Sequence, residues 1–211
     1  MILLEADKEA LSNITKAIDG FSGKAPTILK EAANETGKQA MRRYQEEIKR
    51  RYDYDENVIE LKKRMRRKSA TYSNPASVIT ASSPIFNMAD FNVTPHRVAY
   101  GGSRPKAYRG RVLRTSSVKT LQFGKKAFMV RFDNGHEGLV ERVPGKEYTD
   151  PEKKAERERK KMDITKIKAI NSTSMRPMLG KAYSISKDDM ALLLKQNMRK
   201  YIDRFNRRVR T

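Results

Sequence analysis

Two histidines, His96 and His136, and no cysteine bound the chemistry open to this 211-residue chain. Without thiols there are no disulfides and no thiolate nucleophiles or ligands. A zinc site would need carboxylates beside the imidazoles, and neither His-x-x-x-His nor His-x-x-Glu-His spacing occurs. His136 and Glu137 adjoin, but neighbouring strand residues point to opposite faces and do not readily share a metal. His136 is therefore expected to be a turn residue bonded to backbone. Asp133 and Glu137 flank one turn without the third carboxylate that a metal-dependent nuclease would place on apolar strands. No Gly-x-Ser-x-Gly elbow is present, and Gly101-Gly102 in YGGSRPKAYRGR lacks the spacing of a phosphate loop. This inventory points away from an enzyme and assigns no catalytic residue, metal or cofactor.

The richer chemistry is cationic. Lys and Arg number 46 against 25 Asp and Glu, a formal charge of +21 with pI near 10.2. An excess this large implies an anionic neighbour, most often nucleic acid. Lys62–Lys68, KKRMRRK, holds six basic residues in seven: Lys62, Lys63, Arg64, Arg66, Arg67 and Lys68. One reading is an exposed edge strand whose charges discourage unwanted pairing. The other is a strip facing phosphates, and the two are compatible. Lys125 and Lys126, entering a hairpin from a glycine, are the second candidate pair. Arg199, Lys200, Arg204, Arg207, Arg208 and Arg210 crowd the C-terminal end of a helix, where the macrodipole already favours cations.

These groups need elements to position them. Lys126–Val143, KAFMVRFDNGHEGLVERV, is the organising stretch: two apolar-rich runs flank Asp133-Asn134-Gly135-His136. Asn-Gly tolerates the positive φ of a tight hairpin turn. A two-residue turn sets Asp133 opposite His136, Val130 opposite Leu139 and Met129 opposite Val140. Phe128, Val130 and Phe132 then share a face with Leu139, and apolar groups on both faces suggest a hairpin covered on both sides.

Around it, Glu5–Ile18 shows helical spacing through Leu4, Leu11, Ile14 and Ile18. A longer helix is expected over about Pro26–Tyr52, with Ile28, Leu29, Ala32, Ala33, Ala40, Met41, Tyr44 and Ile48 inward. Gly37 costs about 1 kcal/mol inside it, which implies a close packing contact there. Asp53–Glu60 should form a short helical turn capped by Asp53 or Asp55, Ser69–Ser83 and Phe91–Tyr100 should each hold a strand, and Pro144-Gly145 a turn. Glu152–Lys161, EKKAERERKK, is almost wholly charged and suggests a solvated helix or protrusion inserted at a loop tip. Ile164, Ile167 and Ile170 form a strip in a strand or short turn, and Asn171–Gly180 is expected as a loop. Ser186 is expected to cap a C-terminal helix whose stripe runs through Met190, Leu193, Leu194, Met198, Tyr201, Phe205 and Val209. The fold class is α+β: a long N-terminal helix and a C-terminal helix packed on a mainly antiparallel sheet, with a charged insertion at about 144–163. Residues 1–24 are an N-terminal helix and linker, and 25–211 a single domain. No run of 18 apolar residues suggests a membrane helix, and the acidic start argues against a secretory signal.

The hairpin also carries a resemblance. Ala127–Val130, followed by Gly135-His136-Glu137-Gly138-Leu139-Val140-Glu141-Arg142, resembles the phage minor tail protein Z family. That family has an aromatic-containing strand and a Gly-His-x-Gly-apolar-apolar-x-Arg return strand. The matching positions are Phe128, Gly135, His136, Gly138 and Arg142. Ser83-Pro84-Ile85 with Phe91 looks like the family's Pro-Ile-x-Leu-x-x-Phe segment, with Asn87 in place of the apolar residue. Ser172–Met178, STSMRPM, matches part of a Gly-Pro-Ser-x-Pro-x-Met run and lacks its first Gly-Pro. The resemblance spans roughly Ala25 to the C-terminus. It implies a structural virion protein made in the host cytoplasm: a tail-completion subunit in a hexameric ring at the head-proximal end of a phage tail. Such a ring contacts the tail terminator and head–tail connector proteins and surrounds viral DNA without sequence preference. The alternative is a free-standing, sequence-non-specific nucleic-acid-binding protein. An enzyme acting on DNA is the third class, for which the acid and histidine inventory is thin.

Overall fold

The structure is a computed structural model describing residues 24–82, 84–121, 127–160 and 163–209. The expected helix at Glu5–Ile18 and the pair Lys125, Lys126 lie outside the described residues. The chain is α+β, with long helices near both ends and antiparallel sheets between. Its described residues fall into two compact units. The first takes the described residues of Met1–Arg50, Glu60–Ser83 and Met175–Thr211; the second takes Arg51–Ile59 and Pro84–Ser174.

The first unit is built on α1, Ala25–Arg51. Its buried residues Ile28, Ala32, Thr36, Ala40, Tyr44 and Ile48 fall every four positions, with Gly37 beside them. At 3.6 residues per turn such a row drifts about 40° per step, so successive stretches of α1 meet different partners. Near its start, Ile28 and Ala32 pack with Met198, Leu194 and Tyr201 of the C-terminal helix α4, Met175–Val209. At Gly37 the hairpin of β1, Met65–Lys68, and β2, Val78–Ala81, closes in: a Cβ there would lie 2.8 Å from the Cβ of Ser77, just before β2. This is the contact that the unfavourable glycine implied. Further on, Tyr44 meets Tyr183 edge-on at 6.4 Å.

The α4 helix starts eleven residues before Ser186, through the segment expected as a loop. Pro177 is the reason: in a helix's first turn the missing N–H needs no partner, so proline starts the helix instead of stopping it. Met175, Met178, Leu179 and Ala182 are buried along this extra length. Ser186 is consequently interior, its hydroxyl donating to the Ala182 carbonyl at 2.8 Å, and caps nothing.

In the second unit β4, Arg109–Gly110, pairs with β5, Lys119–Thr120, and β6, Phe128–Arg131, pairs with β7, Glu137–Glu147, which pairs with β8, Thr165–Ala169. The hairpin exists, but its register differs by one from a two-residue turn: Met129 faces Leu139 and Phe128 faces Val140. Phe132 N–H donates to the His136 carbonyl and Gly135 N–H to the Phe132 carbonyl, both at 2.8 Å, with Gly135 at φ 80°. That is a three-residue loop, a turn followed by a left-handed glycine bulge. A one-residue shift exchanges faces, so Phe128, Val130 and Phe132 share theirs with Val140 and Gly138, while Leu139 joins Met129.

Pro144-Gly145 is not a turn between elements. It lies inside β7, where the pairing with β8 shifts between Arg142 and Glu147 and Gly145 takes φ 70°. The charged insertion contains helix α3, Pro151–Arg159, capped by the Asp150 carboxylate at the N–H groups of Glu152 and Lys153, with no buried residue. Ile167 sits in β8, whose partner edge continues to buried Ile170. Strand β9, Asn171–Ser174, occupies the rest of the expected loop and pairs with β3, Ile85–Asn87. The expected strand in Phe91–Tyr100 reduces to isolated bridges at Phe91 and Thr94.

Asn87 holds this unit together. Its amide donates to the Leu139 carbonyl at 3.0 Å and its oxygen accepts from Leu139 N–H at 2.7 Å and Ala89 N–H at 2.9 Å. The Asn87 backbone N–H donates to the Asp90 carboxylate at 2.8 Å, closing a capping box around Met88–Asp90. A side chain here imitates a strand's peptide group, bonding Leu139 of the middle strand β7, whose carbonyl also accepts from Ile170 N–H just past the end of β8.

Candidate nucleic-acid interface

The basic run is divided by structure. Leu61–Arg64 is one helical turn, α2, and only Met65–Lys68 is strand, β1, paired with β2, Val78–Ala81. Alternation along β1 buries Met65 and turns Arg66 and Lys68 outward. Arg67 shares the inward face. Its guanidinium donates to Asn34 Oδ1 at 3.1 Å and Ser77 Oγ at 3.2 Å, and Asn34 also bonds both backbone groups of Ala70. Arg67 therefore fastens β1–β2 to α1 and offers little to an external phosphate. Lys63 pairs with Glu60 at 2.7 Å in an exposed contact of small energetic weight. Lys62, Lys63, Arg66 and Lys68 are exposed and Arg64 is half-buried. The strip is thus four exposed cations with one structural arginine among them. Nearby, Lys30 Nζ lies 4.0 Å above the ring of exposed Tyr72. On α4, Arg199, Lys200, Arg204 and Arg207 are exposed as well.

The hairpin residues have structural work in the second unit. Phe128 is buried beneath the guanidiniums of Arg104, at 4.2 Å, and Arg142, at 5.4 Å. Gly138 carries no side chain because Phe132 crosses it: a Cβ would come within 2.7 Å of the Phe132 ring. The His136 ring stacks on Phe132 at 6.2 Å, and its backbone N–H donates to Asn134 Oδ1 at 3.1 Å. His136 closes the hairpin loop with its main chain, and its ring packs on Phe132 where a bond to backbone was expected. Its Nε2 stands 3.9 Å from Asp90, while His96 stands 3.5 Å from Glu137, so the two imidazoles go to different carboxylates. A hydrogen bond from Arg131 holds the Glu137 carboxyl below its usual range against the opposing effect of burial. Among the described residues no three His, Asp or Glu side chains converge as metal ligands.

Asp53, a candidate cap in sequence, has a different role in the structure. Its carboxylate, nearly buried, accepts from Arg111 Nε at 2.5 Å and Asn92 Nδ2 at 2.8 Å, with Arg114 at 3.6 Å. Burial alone would raise its pKa; the hydrogen bonds from Arg111 and Asn92, with the charges of Arg111 and Arg114, outweigh that and lower it. In sequence it reads as one of two candidate caps, with Asp55, for the turn that follows. Arg114 further bonds the Tyr52 carbonyl at 3.1 Å, fixing the chain as it leaves α1. Arg111 and Arg114 are thereby committed to internal structure.

Comparison with protein-family models, with curated proteins and with solved structures finds no match.

Proposed function

We propose that this chain is a structural subunit of a phage virion, a tail-completion protein that assembles as a ring around the DNA channel at the head-proximal end of the tail. The reading rests on the ordered resemblance from Phe128 through Arg142. The observation that carries the DNA contact is the placement of Lys62, Lys63, Arg66 and Lys68 on exposed positions of a chain with charge +21. Its neighbours in the virion are further copies of itself, in a hexamer by the resemblance, and the tail terminator and connector proteins. Its role involves no catalysis and no cofactor. DNA contact is electrostatic and indifferent to sequence, because exposed lysine and arginine side chains meet phosphates and do not read base edges.

Assembly and salt dependence test this together. At micromolar concentration the protein should sediment as a ring, and duplex binding should weaken linearly in log salt. Replacing Arg66 and Lys68 by Ser should flatten the slope by roughly 1.8 per subunit, from about 0.9 per lost contact, and leave the ring intact. Arg67 is left in place because it anchors β1–β2 to α1. A monomer that binds duplex tightly supports the free-standing nucleic-acid-binding protein instead. A ring lost while the slope persists assigns these cations to a neighbouring protein's acids.

A further inference from the structure

Three arginines of the second unit converge in a way the ring reading does not use. Arg142, its side chain only 12 % exposed, pairs with the Asp163 carboxylate at 2.9 Å. Its Nη1 also donates to the Thr165 carbonyl at 2.6 Å and the Asp163 carbonyl at 3.2 Å. Arg157, from α3, donates to that same Asp163 carbonyl at 2.9 Å and lies 5.1 Å from the Tyr148 ring. Arg104, from the YGGSRPKAYRGR segment, donates to the Ala99 carbonyl at 3.3 Å and shares the Phe128 ring with Arg142. One carbonyl and one ring thus gather three guanidiniums from three separate parts of the chain.

What holds them is mostly neutral. Carbonyl oxygens and ring faces satisfy N–H groups and orient the planes, but they cancel no charge. Asp163 supplies one carboxylate, itself half in solvent. Like charges brought together by neutral partners repel, and burial together with Arg157 and Arg104 acts to lower the Arg142 pKa. An anion with several oxygens would relieve this, and guanidinium forks match phosphate geometry in pairs. Because the arginines are already fixed, little side-chain entropy remains to be lost on binding.

We propose that Arg104, Arg142 and Arg157 form a preorganised site for a phosphate group, supplied either by a nucleic-acid backbone or by free phosphate. Unlike the ring reading, this requires no assembly, so either can fail alone.

The test follows the arginine Nε–H resonances of the full chain on titration with inorganic phosphate at low salt. The Arg104, Arg142 and Arg157 signals should shift together and saturate. The double variant Arg104→Gln with Arg157→Gln should weaken phosphate at least tenfold, while replacing Arg66 and Lys68 by Ser should leave it unchanged. Asp163→Asn removes the competing carboxylate at constant size and should tighten phosphate several-fold. A purely structural Asp163 would not do that. With a DNA duplex as probe, a salt slope flattened in the double variant names the backbone as source; an unchanged slope beside lost phosphate binding names free phosphate. Absence of saturation, phosphate affinity unchanged in the double variant, or affinity unchanged or weaker in Asp163→Asn would each overturn the site.

Discussion

Replacing Asn87 by Ala removes a side chain that does the work of a peptide group. Three hydrogen bonds vanish: one to the Leu139 carbonyl, one from Leu139 N–H and one from Ala89 N–H. The carbonyl keeps the bond from Ile170 N–H at 2.9 Å, so its loss is partial. The two N–H groups are buried and are left without their acceptor. Each unsatisfied buried group costs about 1–3 kcal/mol, giving about 2–6 kcal/mol, and we expect about 3. For a chain of this length that lowers Tm by roughly 6–12 °C. Urea unfolding followed by circular dichroism measures the total, and amide hydrogen exchange at Leu139 locates it. Asn87→Leu should cost nearly as much even though it refills the volume, because an aliphatic side chain offers no acceptor. Ile85→Thr, at an exposed site on the same strand, should stay within about 0.5 kcal/mol. A loss below about 1 kcal/mol in Asn87→Ala, with Leu139 still protected, would refute the view that this amide substitutes for a strand.

The lowered pKa of Asp53 makes part of the stability depend on pH. Its folded carboxyl ionises below the unfolded value of about 3.9, so its contribution is complete above that value and drains away as pH falls through the folded one. Asp53→Asn should cost about 1.5–3 kcal/mol at neutral pH and flatten the acid limb of a urea midpoint against pH. Gly37→Ala gains about 1 kcal/mol of helix propensity but drives a Cβ into Ser77; overpacking of about 1–3 kcal/mol should make it net destabilising, with Ser77→Gly restoring the balance in a double-mutant cycle. Deleting Pro151–Lys161 should move Tm by no more than a few degrees, since α3 buries no residue; a larger fall by calorimetry would show that it packs.

Periodicity and composition by themselves determined the parts that depend on neighbours in the chain. The stripe of α1, the close contact at Gly37, the turn at Asn134-Gly135 and the solvated character of α3 follow from local spacing. The same spacing located the hairpin but did not set its register. Phe128 and Met129 are both buried, as are Leu139 and Val140, so an apolar pattern on both faces fits either alignment. The start of α4 escaped because Pro177 and Gly180 look like breakers until buried Met175, Met178 and Leu179 are seen to favour continuing the helix. A run of six cations likewise gives no sign that Arg67 turns inward. That depends on Asn34, thirty-three residues away in sequence. Asn87, a departure from the resemblance, and Asp53, in sequence a simple cap, acquire their roles from partners 52 and 58 residues distant. Burial makes hydrogen bonding obligatory for polar groups, and only tertiary structure decides which of them are buried, and against what.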